Sequence, residues 1–276
     1  MAETFIHPTA IVEQGAKLGE GVKIGPFCYV SAETVLGDGV ELIGHVTIQG
    51  ATSIGAGTQV HPTAVVGGTP QNYRHKGGPT TLSIGQNCVI REGVTLHRGT
   101  DTSRGKTTIG DNCMFMAYTH VAHDCDVGSN VTMANYACLA GHVTVGDGAI
   151  ISGYAAVHQF VRIGHHAFLA GFAAVIGDVI PYGMAVGDRA KLRGLNVIGM
   201  KRSGMQRADL MQIRQAYRIL FSEDQPLAEN IERVRQEFAS SAAIMDILDF
   251  IGGRERKYLT LPARGSSPDE DDESDE

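Results

Sequence analysis

A large apolar residue, almost always a branched aliphatic, returns at every sixth position of this chain. Ile6, Val12, Leu18, Ile24, Val30, Leu36, Leu42, Ile48, Ile54, Val60 and Val66 keep one phase without a miss. Ile84, Ile90 and Leu96 resume it after a gap. After a second gap the phase moves by one and continues through Ile109, Phe115, Val121, Val127, Met133, Leu139, Val145, Ile151, Val157, Ile163, Leu169 and Val175. A period of six is neither the 3.6 of a helix nor the 2 of a plain strand. It marks a hexapeptide solenoid, in which three hexads close one triangular coil. Residues 18 apart then stack on successive coils, about 4.7–4.9 Å from one another. The fourth position after each aliphatic is small, as in Ala10, Ala16, Cys28, Ala137, Ala149, Ala155, Ala167 and Ala173, because it sits near a corner.

A stack of coils has exposed ends that need capping. Near Arg189 the glycines thin out and apolar residues take up helical spacing at Leu210, Ile213, Ala216, Tyr217 and Leu220. Pro226 opens a second helical pattern, and Ala242 to Phe250, stopped by Gly252-Gly253, forms a third. The expected organisation is an all-β parallel β-helix over 1–189, a small α-helical domain over 190–262 and an acidic tail over 263–276. The net charge of −7 is misleading, because residues 265–276 hold seven acids and no base. Without them 23 acids face 23 bases. A near-neutral body argues against nucleic acid as a partner. The tail is expected to be disordered. Between Arg189 and Arg218 eight bases accompany only Asp209. That stretch is either a solvated helical face or a dock for an acidic protein or a nucleotide phosphate.

The chain has five cysteines and no C-x-x-C pair, and four of them, Cys28, Cys88, Cys113 and Cys125, fall at the small fourth position and read as core residues in a reducing compartment. No segment has the pattern of a secretion signal or a membrane span, so a cytoplasmic protein without stable membrane insertion is expected.

Chemistry is expected where the beat lapses. The gaps, residues 67–83 and 97–108, are polar and Gly-rich, and the first holds Gln71, Asn72, Arg74 and His75. Histidines gather nearby, at His97, His120, His123, His142 and His158. The 18-residue ruler puts His123, Gly141 and Gln159 in one column, with Asp124 and His142 in the next. A histidine suits proton abstraction from a sugar hydroxyl. A glycine exposes a backbone N–H to a developing oxyanion. Zinc held by His120, His123 and His142 is a competing reading, but residues three apart on an extended hexad diverge and no metal is expected.

With these residues in place the chain resembles the UDP-N-acetylglucosamine O-acyltransferases, which open lipid A biosynthesis in Gram-negative bacteria. The resemblance reaches residue 250 or so. It rests on Pro70-Gln71, Thr95-Leu96-His97-Arg98-Gly99-Thr100, Ala122-His123-Asp124-Cys125, Leu139-Ala140-Gly141-His142-Val143, Ala156-Val157-His158-Gln159-Phe160, Gly194-Leu195-Asn196 and Lys201-Arg202. It implies a left-handed β-helix, a homotrimer and active sites between subunits. His123 would be the general base, Asp124 its support and Gly141 the oxyanion donor. Gln71, Asn72, Arg74, His97, His120, His142, His158 and Gln159 would contact the sugar nucleotide, with Asn196 and Arg202 near the uridine and phosphates. Phe168 and Gly171 would set acyl length, Gly171 leaving space and Phe168 taking some back. The acyl group would arrive on the phosphopantetheine of acyl carrier protein, with no other cofactor.

The chain departs from the usual pattern at Asn72, Arg74, Ile198 and Ser203, where Asp, Lys, a carboxylate and Arg are common. A related enzyme acting on a 3-amino sugar is one alternative. The pathway's later N-acyltransferase, a metal-dependent hydratase and a non-catalytic scaffold are others.

Overall fold

The computed structural model describes residues 3–253 and 258–263. Short strands, most of them two residues long, run from Phe5–Ile6 to Ala174–Val175; together with Gly183–Val186 and Lys191–Leu195 they stack into three sheets of 11, 9 and 8 strands. Every pairing within the coils is parallel, and partners such as Thr132↔Ile150 and Cys138↔Ala156 are 18 residues apart. This is a left-handed parallel β-helix. The six-residue beat fills its interior: each inward residue from Ile24 to Val175 is no more than 4% exposed. The small corner position also holds, with Cys28, Cys88, Cys113 and Cys125 at 0–1%. Burial pushes the Cys125 thiol up to about 12, as expected of an inert core residue.

The corners carry much of the individuality of the chain. Their turns place non-glycine residues at positive φ, among them Asn87, Asn112 and Asn130, the type that tolerates this region best. Along one edge the same position holds Tyr118, Tyr136, Tyr154 and Phe172, whose rings stack at 5.1, 4.9 and 5.0 Å. Stacking of this kind offsets part of the backbone cost. On the next edge Asp124, His142 and Phe160 take it, with φ of 60°, 64° and 64°.

The two interruptions emerge as loops. The first leaves the strand Val65–Gly68 and rejoins at Thr81–Ile84; the second links Thr95–His97 to Lys106–Ile109. Arg98 holds the base of the first loop by donating to the carbonyls of Gly67 (2.9 Å) and Thr80 (3.4 Å).

The expected domain boundary at residue 190 shifts. Lys191–Leu195 is a strand, antiparallel to Gly183–Val186, that extends the 11-stranded sheet. Leu192, 1% exposed, supplies its buried face. The helices follow: α1 (Val197–Arg202), α2 (Arg207–Leu220), α3 (Leu227–Glu237) and α4 (Ala242–Gly252). α2 and α4 match the expected patterns, α1 is an addition, and Pro226 is the N-cap residue of α3. Arg162 ties α4 to the coil below. It donates to Asp178 (2.8 Å) and to the carbonyl of Phe250 (2.7 Å), and lies 4.4 Å over the Phe250 ring. The segment 258–262 returns to the solenoid through bridges Asp178↔Leu259 and Leu192↔Pro262. The acidic tail lies outside the described residues apart from Ala263. No described helix is long and apolar enough to cross a membrane.

Candidate active site

His123 and Asp124 occupy the turn between His120–Val121 and Asp126–Val127, at a corner of the prism. The His123 ring is 11% exposed and the Asp124 side chain fully buried. His123 Nδ1 lies 2.8 Å from Asp124 Oδ2. Asp124 also accepts from Thr100 Oγ1 (2.7 Å) and Thr100 N (3.1 Å), and its own N–H donates to Thr107 Oγ1 (2.9 Å). Burial alone would raise the Asp124 carboxyl. The bonds from Thr100 and His123 outweigh it and hold the group below the usual carboxylate range. An ionised Asp124 keeps the proton on His123 Nδ1 and leaves the Nε2 lone pair to act.

Asn72 meets that lone pair. Its Oδ1 accepts from the Arg74 N–H at 2.9 Å, which fixes the amide orientation. Its Nδ2 therefore faces His123 Nε2, at 3.3 Å, as a donor.

Gly141, one coil above, lies flat against the ring. A Cβ on Gly141 would stand 2.6 Å from His123 Cε1 and 2.9 Å from Nε2. The Gly141 N–H takes no partner among the described residues. The column anticipated from the 18-residue spacing is thus present. So is its neighbour: the His142 N–H donates to the His123 carbonyl, and the His142 ring stacks on Phe160 at 4.4 Å and stands edge-on to His123 at 5.1 Å.

His97 and His120 pack together beside the site, 5.1 Å apart. His97 Nδ1 donates to the Thr69 carbonyl (2.8 Å), and its buried Nε2 has no partner among the described residues. His120 bonds Thr95 Oγ1 (2.8 Å) and stands outside the close cluster of His123, Asp124 and His142. Burial, then the neighbouring histidines, push His120 down to about 4, and burial lowers His97 as well. Both rings are neutral at pH 7. His123, Asp124 and His142 each offer a ligand atom within 4.8 Å of the others. The bonding pattern there is that of an oriented base, since Asp124 already accepts from Thr100 and His123.

The remaining expected residues lie apart. Gln71 and Arg74 are exposed on the first loop, and His158 and Gln159 are exposed one coil above Gly141. Asn196 and Arg202 are on another side altogether. They line a cavity of about 1120 Å³ between α1, α2 and the outer face of the 11-stranded sheet, floored by Ile150, Phe168 and Met184. Lys201, Arg207, Arg214 and Arg218 also line it, so five of the eight clustered bases converge there. Asn196 has a structural task as well: it caps α1 by accepting from Gly199 N (2.9 Å) and donates to the His166 carbonyl (2.9 Å). Beside Gly171 the nearest atom to an added Cβ would be 3.5 Å away, so space remains there. Thr107 escaped the sequence reading, and Thr95 and Thr100 entered it only within a motif, without a role of their own. Their location in or beside the second interruption was a further signal.

A parallel hexapeptide β-helix with an oriented histidine and an unpaired backbone N–H above it defines an acyltransferase of the hexapeptide class. Residues 106–141 match the bacterial transferase hexapeptide (six repeats) family. Residues 178–259 match domain 2 of the UDP-N-acetylglucosamine O-acyltransferases. The chain is 63% identical over 274 residues to the acyl-[acyl-carrier-protein]--UDP-N-acetylglucosamine O-acyltransferase of Mesorhizobium japonicum, covering 99% of this chain and 98% of that one. It is 57% identical to the Brucella ovis enzyme of the same name, covering 99% and 100%. The Francisella novicida UDP-N-acetylglucosamine acyltransferase structure superposes with a TM-score of 0.90 at 35% identity, covering 95% and 96%. The chain belongs to the UDP-N-acetylglucosamine O-acyltransferase family.

Proposed function

We propose that this protein transfers a 3-hydroxyacyl chain from acyl carrier protein to the 3-hydroxyl of UDP-N-acetylglucosamine, the first step of lipid A biosynthesis. The observation that carries the reading is the buried chain Thr100–Asp124–His123, with the Gly141 N–H open above it. His123 Nε2 takes the proton from the sugar hydroxyl as its oxygen attacks the thioester carbonyl. The resulting oxyanion is held by the Gly141 N–H. When the tetrahedral intermediate collapses, the C–S bond breaks and the thiolate leaves with the proton His123 had taken. The unpartnered His97 Nε2 offers an acceptor to a sugar hydroxyl or amide. No bound cofactor enters, because the phosphopantetheine arm of the carrier delivers the acyl group.

The working unit is a homotrimer with its clefts between copies. In one chain the His123 corner and the cavity holding Asn196 and Arg202 face different sides of the prism, so a ligand spanning both needs two chains. A head-to-tail contact repeated three times closes such a ring. Within each cleft the five bases around the cavity suit both nucleotide phosphates and an acidic carrier protein. The apolar floor, with Phe168 and the room at Gly171, suits the acyl chain.

The test is transfer from 3-hydroxyacyl carrier proteins of graded length to UDP-N-acetylglucosamine. The wild type should form an ester that mild base cleaves, and His123→Ala should lower kcat by about 10²–10⁴-fold with the trimer intact. An unchanged rate would remove His123 as the base. A base-stable amide formed only with a 3-amino sugar, or no transfer at all, would remove the stated activity.

A further inference from the structure

Both nitrogens of His123 are held, and the two restraints trace back to consecutive residues of the second loop. Thr100 holds Asp124, which fixes the Nδ1 side. Its neighbour Asp101 turns the other way and grips the first loop. Asp101 Oδ2 accepts from the backbone N–H groups of Gly78 (2.9 Å) and Lys76 (3.0 Å), and Oδ1 accepts from His75 Nδ1 (3.1 Å). The contact is built closely. Its two side chains are 18% and 8% exposed, and a Cβ on Gly78 would fall 2.7 Å from the Asp101 Cβ, so only glycine fits. The Gly78 N–H, then that of Lys76 and the His75 ring, hold the Asp101 carboxyl below its ordinary range and keep it an acceptor.

The gripped segment continues directly into the turn that carries Asn72. The His75 N–H donates to the Asn72 carbonyl (3.0 Å) and the Asn72 N–H to the Pro70 carbonyl (2.8 Å). That turn aims the Asn72 amide at His123 Nε2. We propose that Asp101 is a positioning residue for catalysis: by clasping residues 75–78 it holds Asn72 against the base, so that the Thr100-Asp101 pair orients His123 from both sides. Asp101 touches neither the base nor the reacting atoms and acts only through the first loop.

This rests on the proposed acyl transfer, and the wild-type rate is its internal control: without wild-type transfer the underlying reading fails, not this one. The test is a double-mutant cycle on kcat with Asn72→Ala and Asp101→Ala, each variant checked for trimer mass and melting temperature. Asp101→Ala alone should lower kcat by about 10–100-fold, the scale of a misplacement near 1 Å. In the Asn72→Ala background the same change should alter kcat less than about twofold, because the route is already cut. Losses that multiply in the double variant, as a general weakening of the fold would give, overturn the proposal. So does an Asp101→Ala enzyme with wild-type kcat.

Discussion

Replacing Gly141 by alanine tests the site at the atom where it is tightest. The added Cβ would stand 2.6 Å from His123 Cε1, 2.9 Å from Nε2 and 3.1 Å from Nδ1. Ordinary carbon contacts lie at about 3.5–4.0 Å, so ring and methyl must separate by about 1 Å. The ring cannot yield freely, since Asp124 holds Nδ1 at 2.8 Å and Asn72 faces Nε2 at 3.3 Å. A shift of about 1 Å in a reacting group costs about 10²-fold in rate, equivalent to about 2.7 kcal/mol. Gly141 is not at positive φ, so alanine suits its backbone. Overpacking of about 1–3 kcal/mol is partly offset by the gain from removing a glycine, and the fold should survive. The substitution also keeps the N–H, which separates ring displacement from loss of the oxyanion donor. Steady-state kinetics should show kcat down about 100-fold with the melting temperature moved by a few degrees. In a His123→Ala background Gly141→Ala should add little, because no ring remains to displace. A single variant with kcat within about threefold of wild type would refute the reasoning.

Thr100→Val removes the hydroxyl bond to buried Asp124 and should cost about 1–2 kcal/mol of stability together with a drop in kcat; unchanged kinetics would mean that Asp124 is oriented without it. Arg162→Ala removes the guanidinium that joins Asp178 to the end of α4, and a loss of about 2 kcal/mol should appear as a lower melting temperature. An unchanged melting temperature would show that α4 is held by its apolar face alone. His120, pushed down to about 4, binds a proton more readily unfolded than folded. Its contribution is therefore complete above about pH 6.5 and is lost as pH falls from there towards 4, up to about 3 kcal/mol per site. His120→Gln should flatten the acid side of the melting temperature against pH, and a curve parallel to wild type would contradict the assignment.

The inward half of the structure could be read directly, because a solenoid repeats one packing problem and solves it with the same residue type each time. Val121, Leu139 and Val157 are interchangeable answers to one question, and so are legible as a period. The same ruler put Gly141 over His123, since stacking needs only residue number. What escaped depends on side-chain direction or on contacts between separate loops. Lys191–Leu195 looks like the start of a basic helix, and only pairing with Gly183–Val186 makes it a strand. Asn196 carries a family motif, but its amide spends both ends on the α1 cap and the His166 carbonyl. Asn72 reads in sequence as a lost charge. In the fold its Oδ1 accepts from the Arg74 N–H, so its donor end meets His123 Nε2. No periodicity announces that Asp101 binds 25 residues back along the chain.

Separation of the His123 corner from the Arg202 cavity within one chain leads to a last prediction. If each cleft draws His123 from one copy and Arg202 from the next, two inactive variants should repair one another. A chain with His123→Ala still offers an intact cavity, and a chain with Arg202→Ala still offers an intact base. Random co-assembly of equal amounts gives a cleft its base from the second chain with even odds, and its cavity from the first with even odds. About a quarter of the clefts are then complete. Each variant alone should be nearly inactive, and mixing preformed trimers without dissociation should restore nothing. A doubly tagged trimer holds one complete cleft of its three, so co-expressing the two with different affinity tags and isolating doubly tagged trimers should recover about a third of wild-type activity. Doubly tagged trimers as inactive as the parents would mean that His123 and Arg202 serve one ligand within a single chain, which the placement of Arg202 on the far sheet opposes.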